Sequence, residues 1–107
     1  MTLARHILFQ KLQTLTTGPY GGSGLLSGDD LVTMGEPVIF STELQGIGYS
    51  YEWYIEFANG SQTGYTDSPN GNVNTVTFNR VGIFEVYCNV YRGYTLVGSD
   101  WKEVIVE

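Results

Sequence analysis

Phe84-Glu85-Val86-Tyr87-Cys88-Asn89-Val90-Tyr91 is the stretch whose reading decides the fold. Phe84, Val86, Cys88 and Val90 alternate with Glu85, Tyr87, Asn89 and Tyr91. A period of two puts one set inward and the other outward on a half-buried strand, and a helix cannot use it. Upstream, Tyr51, Trp53, Ile55 and Phe57 share one parity while Glu52, Tyr54 and Glu56 share the other, and Asn59-Gly60 closes that strand with a turn pair. Between the two strands, Asn74 to Phe78 presents Val76 and Phe78 on one face, after a polar, turn-rich stretch through Ser68-Pro69-Asn70-Gly71. Further out lie a short edge candidate at Leu31 to Met34, the Gly35-Glu36-Pro37 turn, a strand from Val38 to Thr42 and a Gly46-Ile47-Gly48 break. Gly93 ends the strand at Tyr91, and a last one is expected at Val104 to Val106. Short strands at this spacing with no helix between them predict an antiparallel β-sandwich.

The chain of 107 residues holds one domain and one core. Its hydrophobic fraction of 42% supplies that core, and 14 glycines supply the turns. Eleven acids against five Lys and Arg give a net charge of −6, which repels phosphate backbones and anionic lipid, so neither nucleic acid nor a membrane surface is an expected partner. The lone cysteine, Cys88, leaves no partner for an intrachain disulfide. The longest apolar run near the N-terminus, Ile7-Leu8-Phe9, is too short for a secretory signal or a membrane span, so the protein is expected to stay where it is made.

The charge divides unevenly along the chain. Residues 1–28 hold Arg5 and Lys11 and no acid, whereas residues 29–107 hold Arg80, Arg92 and Lys102 against all eleven acids. Leu3, Ile7, Leu8, Leu12 and Leu15 follow the spacing of one helix face, with Arg5, Gln10, Lys11 and Gln13 among the other positions. The alternating Thr14-Leu15-Thr16-Thr17 reads equally as an extended strand, and both stay open. Gly18-Pro19-Tyr20-Gly21-Gly22-Ser23-Gly24 then holds neither helix nor strand and reads as a linker. Residues 1–28 are therefore expected to be an N-terminal arm on a domain spanning residues 29–107.

Three stretches carry a resemblance to a known family: Gly35-Glu36-Pro37-Val38-Ile39-Phe40, Tyr51-Glu52-Trp53, and Val81-Gly82-Ile83-Phe84-Glu85-Val86. Over residues 31 to 107 the pattern resembles the immunoglobulin-like superfamily and, within it, the polycystic-kidney-disease (PKD) type of domain. The resemblance implies an all-β, antiparallel immunoglobulin-like sandwich in which Trp53 and Cys88 pack beside Phe40, the residue standing where an antibody domain would have its first cysteine. Cys88 is then a buried small hydrophobe and not a reactive thiol.

Chemistry finds little purchase in this pattern. His6, the only histidine, falls in the arm, so a Ser-His-Asp triad, a Cys-His pair or a zinc site lacks its partners in the domain. Glu52 and Glu56 sit on the polar parity of a strand, where they read as solubility charges and not as a glycosidase pair. Asp29-Asp30 and Asp67 lack a calcium-loop pattern and read as solvated turns. No enzyme activity, cofactor or metal is expected. The outward Tyr54, Tyr87 and Tyr91 form either cross-strand pairs, a protein contact or a sugar-stacking platform.

Tailed-phage virions commonly carry immunoglobulin-like or PKD-like domains as capsid decoration or as parts of tails. The resemblance therefore implies a virion structural protein assembled in the host cytoplasm, held to other virion proteins by the apolar stripe of its arm. The alternative it implies is an adhesion or glycan-binding domain of a secreted bacterial surface protein, acting outside the cell.

Overall fold

The computed structural model describes residues 24–107, which form eight strands. These are β1 (Leu26–Ser27), β2 (Leu31–Val32), β3 (Pro37–Thr42), β4 (Tyr49–Phe57), β5 (Tyr65–Asn70), β6 (Val73–Phe78), β7 (Gly82–Arg92) and β8 (Thr95–Val106). They build two four-stranded sheets, one in the order β1-β3-β6-β5 and the other in the order β2-β8-β7-β4. Every pairing is antiparallel except that of β2 with β8.

The alternating residues of β7 explain the layering. Phe84, Val86, Cys88 and Val90 are fully buried and face β3 and β6, which contribute Val38, Phe40, Val76 and Phe78 to the same core. Aromatic rings meet at the centre in edge-to-face and tilted contacts. Phe40 lies 6.3 Å from Phe78, Phe78 lies 4.7 Å from Phe84, and Phe84 lies 5.0 Å from Phe57. Each such pair adds roughly 0.5–1.5 kcal/mol beyond the area it buries.

Residues 24–28, which the sequence groups with the arm, belong to the sandwich. Leu26 is buried and pairs with Thr42, and its backbone N–H donates to Asp100 Oδ2 at 2.6 Å. The chain then crosses from one sheet to the other at Gly28 and joins β8 through Leu31 and Val32. Lys102 secures the crossing, with its Nζ 2.7 Å from Asp30 Oδ1 and donating to the Gly28 carbonyl.

Two further strands depart from the sequence expectation. β5 occupies a stretch that reads as turn-rich because it is an edge strand, exposed at five of its six positions, with no buried face to impose alternation. β8 begins at Thr95, nine residues before the expected Val104. Its inward positions there are Gly98 and Asp100, and the polar Asp100 is tolerated because the Leu26 and Trp101 N–H groups satisfy its two oxygens.

Phe40 and Cys88 are fully buried. Trp53 faces Cys88 across the β4–β7 ladder but is only half-buried, because β4 is the last strand of its sheet. Its indole N–H donates to the Gly71 carbonyl at 2.9 Å, fastening β4 to the turn between β5 and β6. Burial pushes the Cys88 thiol up to about 12, helped by the neighbouring Asp100 carboxylate.

Candidate functional site

The outward parity of the β4-β7-β8 sheet forms rows across three strands. Glu56 pairs with Glu85 and Glu85 with Glu103, making a row of three glutamates. Beside it, Tyr54 pairs with Tyr87 and Tyr87 with Trp101, and the next row is Glu52, Asn89 and Ser99. Register alone brings these residues together, because they lie on three separate strands.

Tyr87 stacks on Trp101 at 6.1 Å and meets Tyr54 edge-on at 5.8 Å. The Tyr54 hydroxyl donates to Glu56 Oε2 at 2.8 Å, and that of Tyr87 donates to Glu85 Oε1 at 3.3 Å. Burial and the adjacent Glu85 and Glu56 carboxylates hold the Tyr87 phenol well above its ordinary value. The hydrogen bond to Glu56, then burial, raises that of Tyr54. Tyr91 stands apart over Glu52, which also accepts from Asn89 at 3.0 Å. Because Tyr54 and Tyr87 are half-buried and packed edge to face, they offer no open, flat ring surface to a sugar.

Glu52 and Glu56, which the sequence treats alike, differ. Glu52 is exposed, whereas Glu56 is 1% exposed and its Oε1 has no hydrogen-bond partner. Sequence reasoning did not single out Glu85, Glu103 or Trp101. The outward parity of Glu85 was readable in β7, but Trp101 and Glu103 fall in the part of β8 that the sequence hides, and the closure of all three from water was not readable.

A second surface lies where the β3–β4 and β7–β8 loops meet. The Gly93 N–H donates to the Gly48 carbonyl at 3.0 Å, tying the loops together. Ile47 is 98% exposed, Tyr94 wholly so, and Leu96 and Val97 stand exposed beside them. Exposed apolar residues gathered at one end of a domain make that end a candidate contact surface.

Elsewhere, Asp30 is taken by Lys102, and Asp67 accepts from Asn74 Nδ2 at 3.0 Å. Among the described residues no three His, Cys, Asp or Glu side chains are placed to hold a metal ion, and no helix is long and apolar enough to cross a membrane. His6 and the arm residues Leu3, Ile7, Leu8, Leu12 and Leu15 lie outside the described residues. No family model, curated protein or solved structure matches the chain.

Proposed function

We propose that this chain is a non-enzymatic structural protein of a virion, a phage capsid decoration or tail component, displaying an immunoglobulin-like domain of PKD type and anchored to a neighbouring virion protein by its arm. The strand orders β1-β3-β6-β5 and β2-β8-β7-β4 support the immunoglobulin-like part, since a sandwich of that class sets a sheet of first, second, fifth and fourth strands against one of third, sixth and seventh. The observation that carries the assembly part is the apolar tip of Ile47, Tyr94, Leu96 and Val97, exposed side chains of the kind that contact surfaces use.

Mass spectrometry of purified particles tests this reading. The full chain is expected in them, and a chain lacking residues 1–23 is expected to fold but to be missing from them. Absence of the full chain would overturn the virion reading, and normal incorporation of the shortened chain would overturn anchoring by the arm. The exposed Tyr94 ring favours one second reading, an adhesion or glycan-binding domain of a secreted surface protein. There Tyr94→Ala abolishes glycan binding while removal of residues 1–23 leaves it intact.

A further inference from the structure

The β4-β7-β8 sheet is one of two layers, and among the described residues no element lies on its outer face. Side chains on that face should meet water, yet the glutamate row does not, and in the row beside it Trp101 is buried and Tyr54 and Tyr87 are half-buried. Glu56 and Glu85 are each 1% exposed and Glu103 is 4% exposed. Beyond these rows the face is open, at Glu52 and Ser99 on one side and at Ile105 on the other. Rows on one face stand about 6.8 Å apart along a strand. The closed band is therefore about as wide as one helix, roughly 10 Å, and it runs across the strands and not along them. Within it, Glu56 Oε1 lacks a hydrogen-bond partner. A carboxylate shut from water is costly unless a cation or donor meets it.

We propose that this band is the docking place of residues 3–15 of the same chain, with the Lys11 ammonium directed to Glu56. Charge selects that occupant. Residues 1–23 contain Arg5, His6 and Lys11 and no acid, whereas the face presents Glu52, Glu56, Glu85 and Glu103. Spacing selects Lys11, because Leu3, Ile7, Lys11 and Leu15 recur every four residues and would share one ridge of a helix, which would put the cation on the apolar side. Thirteen helical residues span about 20 Å, enough to cross three strands set about 4.8 Å apart. Connection is also feasible. The described chain starts beside β8, where Leu26 bonds to Asp100, and the six residues 18–23 reach about 20 Å when extended, enough to round the β8 edge onto the outer face. Docking in the free chain hides the apolar stripe that the anchoring reading uses in an assembly, but it does not rest on that reading.

Limited trypsin digestion of the full chain tests the docking, with cleavage after Arg5 and after Lys11 followed by mass spectrometry. Both bonds are expected to be cut at least tenfold more slowly than in a free peptide of residues 1–17. Leu8→Asp, which lies outside the sandwich and leaves both cleavage sites in place, is expected to restore peptide-like cutting, and Glu56→Gln to speed it at least threefold. Tenfold dilution is expected to change nothing. Cutting of the unaltered chain at the peptide rate would overturn the proposal, as would protection that survives both substitutions. Protection that disappears on dilution would overturn it in favour of a segment supplied by a second copy. Digestion is read on the free chain, so its failure leaves the particle test untouched, and failure of the particle test leaves the docking untouched.

Discussion

Substituting Gly28 by alanine should be among the most damaging single-methyl changes in this protein. Gly28 has φ of +147°, a region that side chains other than hydrogen rarely enter, at a cost of roughly 1–3 kcal/mol. A Cβ placed there would sit 2.3 Å from Phe40 Cδ1 and 3.1 Å from the Ile39 carbonyl oxygen. Phe40 is fully buried and packed edge-on against Phe78, so its ring cannot retreat without moving the core, which adds about 1–3 kcal/mol of overpacking. Together these terms come to about 4 kcal/mol, a large share of the roughly 5–15 kcal/mol that holds a domain together, and lower Tm by roughly 15–30 °C. Gly35→Ala is the matched control. Its φ of +87° is also left-handed, but nothing lies within 4 Å of the added methyl, so it should cost only about 1 kcal/mol. Urea denaturation measures both, and Phe40→Leu in the Gly28→Ala background should recover more than about 1 kcal/mol of non-additive stability. If Gly28→Ala costs no more than Gly35→Ala, or Phe40→Leu recovers nothing, the close approach of the sheet crossing to the core is refuted.

Phe40→Ala should cost about 3–5 kcal/mol and Trp53→Ala about 2–3 kcal/mol, the smaller value reflecting a half-buried indole and one lost hydrogen bond to Gly71; the two curves in one denaturation series check the order. Cys88 should resist thiol reagents until the protein unfolds, and rapid labelling of the native state would contradict its burial. Because the folded chain keeps the thiol proton to about 12 while an unfolded chain releases it near 9.0, stability from this group is intact below pH 9 and is lost as pH rises toward 12. Cys88→Ala should flatten that part of an alkaline stability profile, leaving the slope of the tyrosines, Tyr87 foremost, above pH 10. Removing residues 1–23 should leave the sandwich folded, whereas removing residues 1–28 should cost several kcal/mol more, because it strips the buried Leu26 and its N–H from Asp100; calorimetry of the two truncated chains separates them.

The sequence revealed strands wherever one face is apolar and the other polar. β4, β6 and β7 meet that condition, and their parities assign Phe78 and Cys88 to the interior. It concealed strands whose reason to exist lies elsewhere in the chain. β5 is a strand because β6 pairs with all six of its residues, and nothing in Tyr65–Asn70 itself repeats with period two. The first half of β8 is a strand because it pairs with β7 along Arg92 to Tyr87, and its inward Asp100 is acceptable only once Leu26, 74 residues away, comes to meet it. β1 hides for the same reason, since two residues carry no period and only the pairing with Thr42 and Ser41 separates them from a linker.

The surfaces are harder still to read, because each is made by register. Glu56, Glu85 and Glu103 are unremarkable outward residues on three strands, and they become one row only when β4, β7 and β8 align. The apolar tip depends on an irregularity that composition does not announce. β7 and β8 slip between Val90 and Tyr91, so that Val90 faces Gly98 while Tyr91 faces Leu96, and Val97 is left over. A bulge of this kind breaks alternation and re-aims the side chains beside it. Here it leaves the consecutive residues Leu96 and Val97 both exposed, next to Tyr94 and, through the Gly93–Gly48 hydrogen bond, close to the Ile47 loop. Without the slip, strict alternation would turn one of that pair inward, so the same local distortion that hides β8 from a sequence pattern also supplies the tip on which the assembly reading stands.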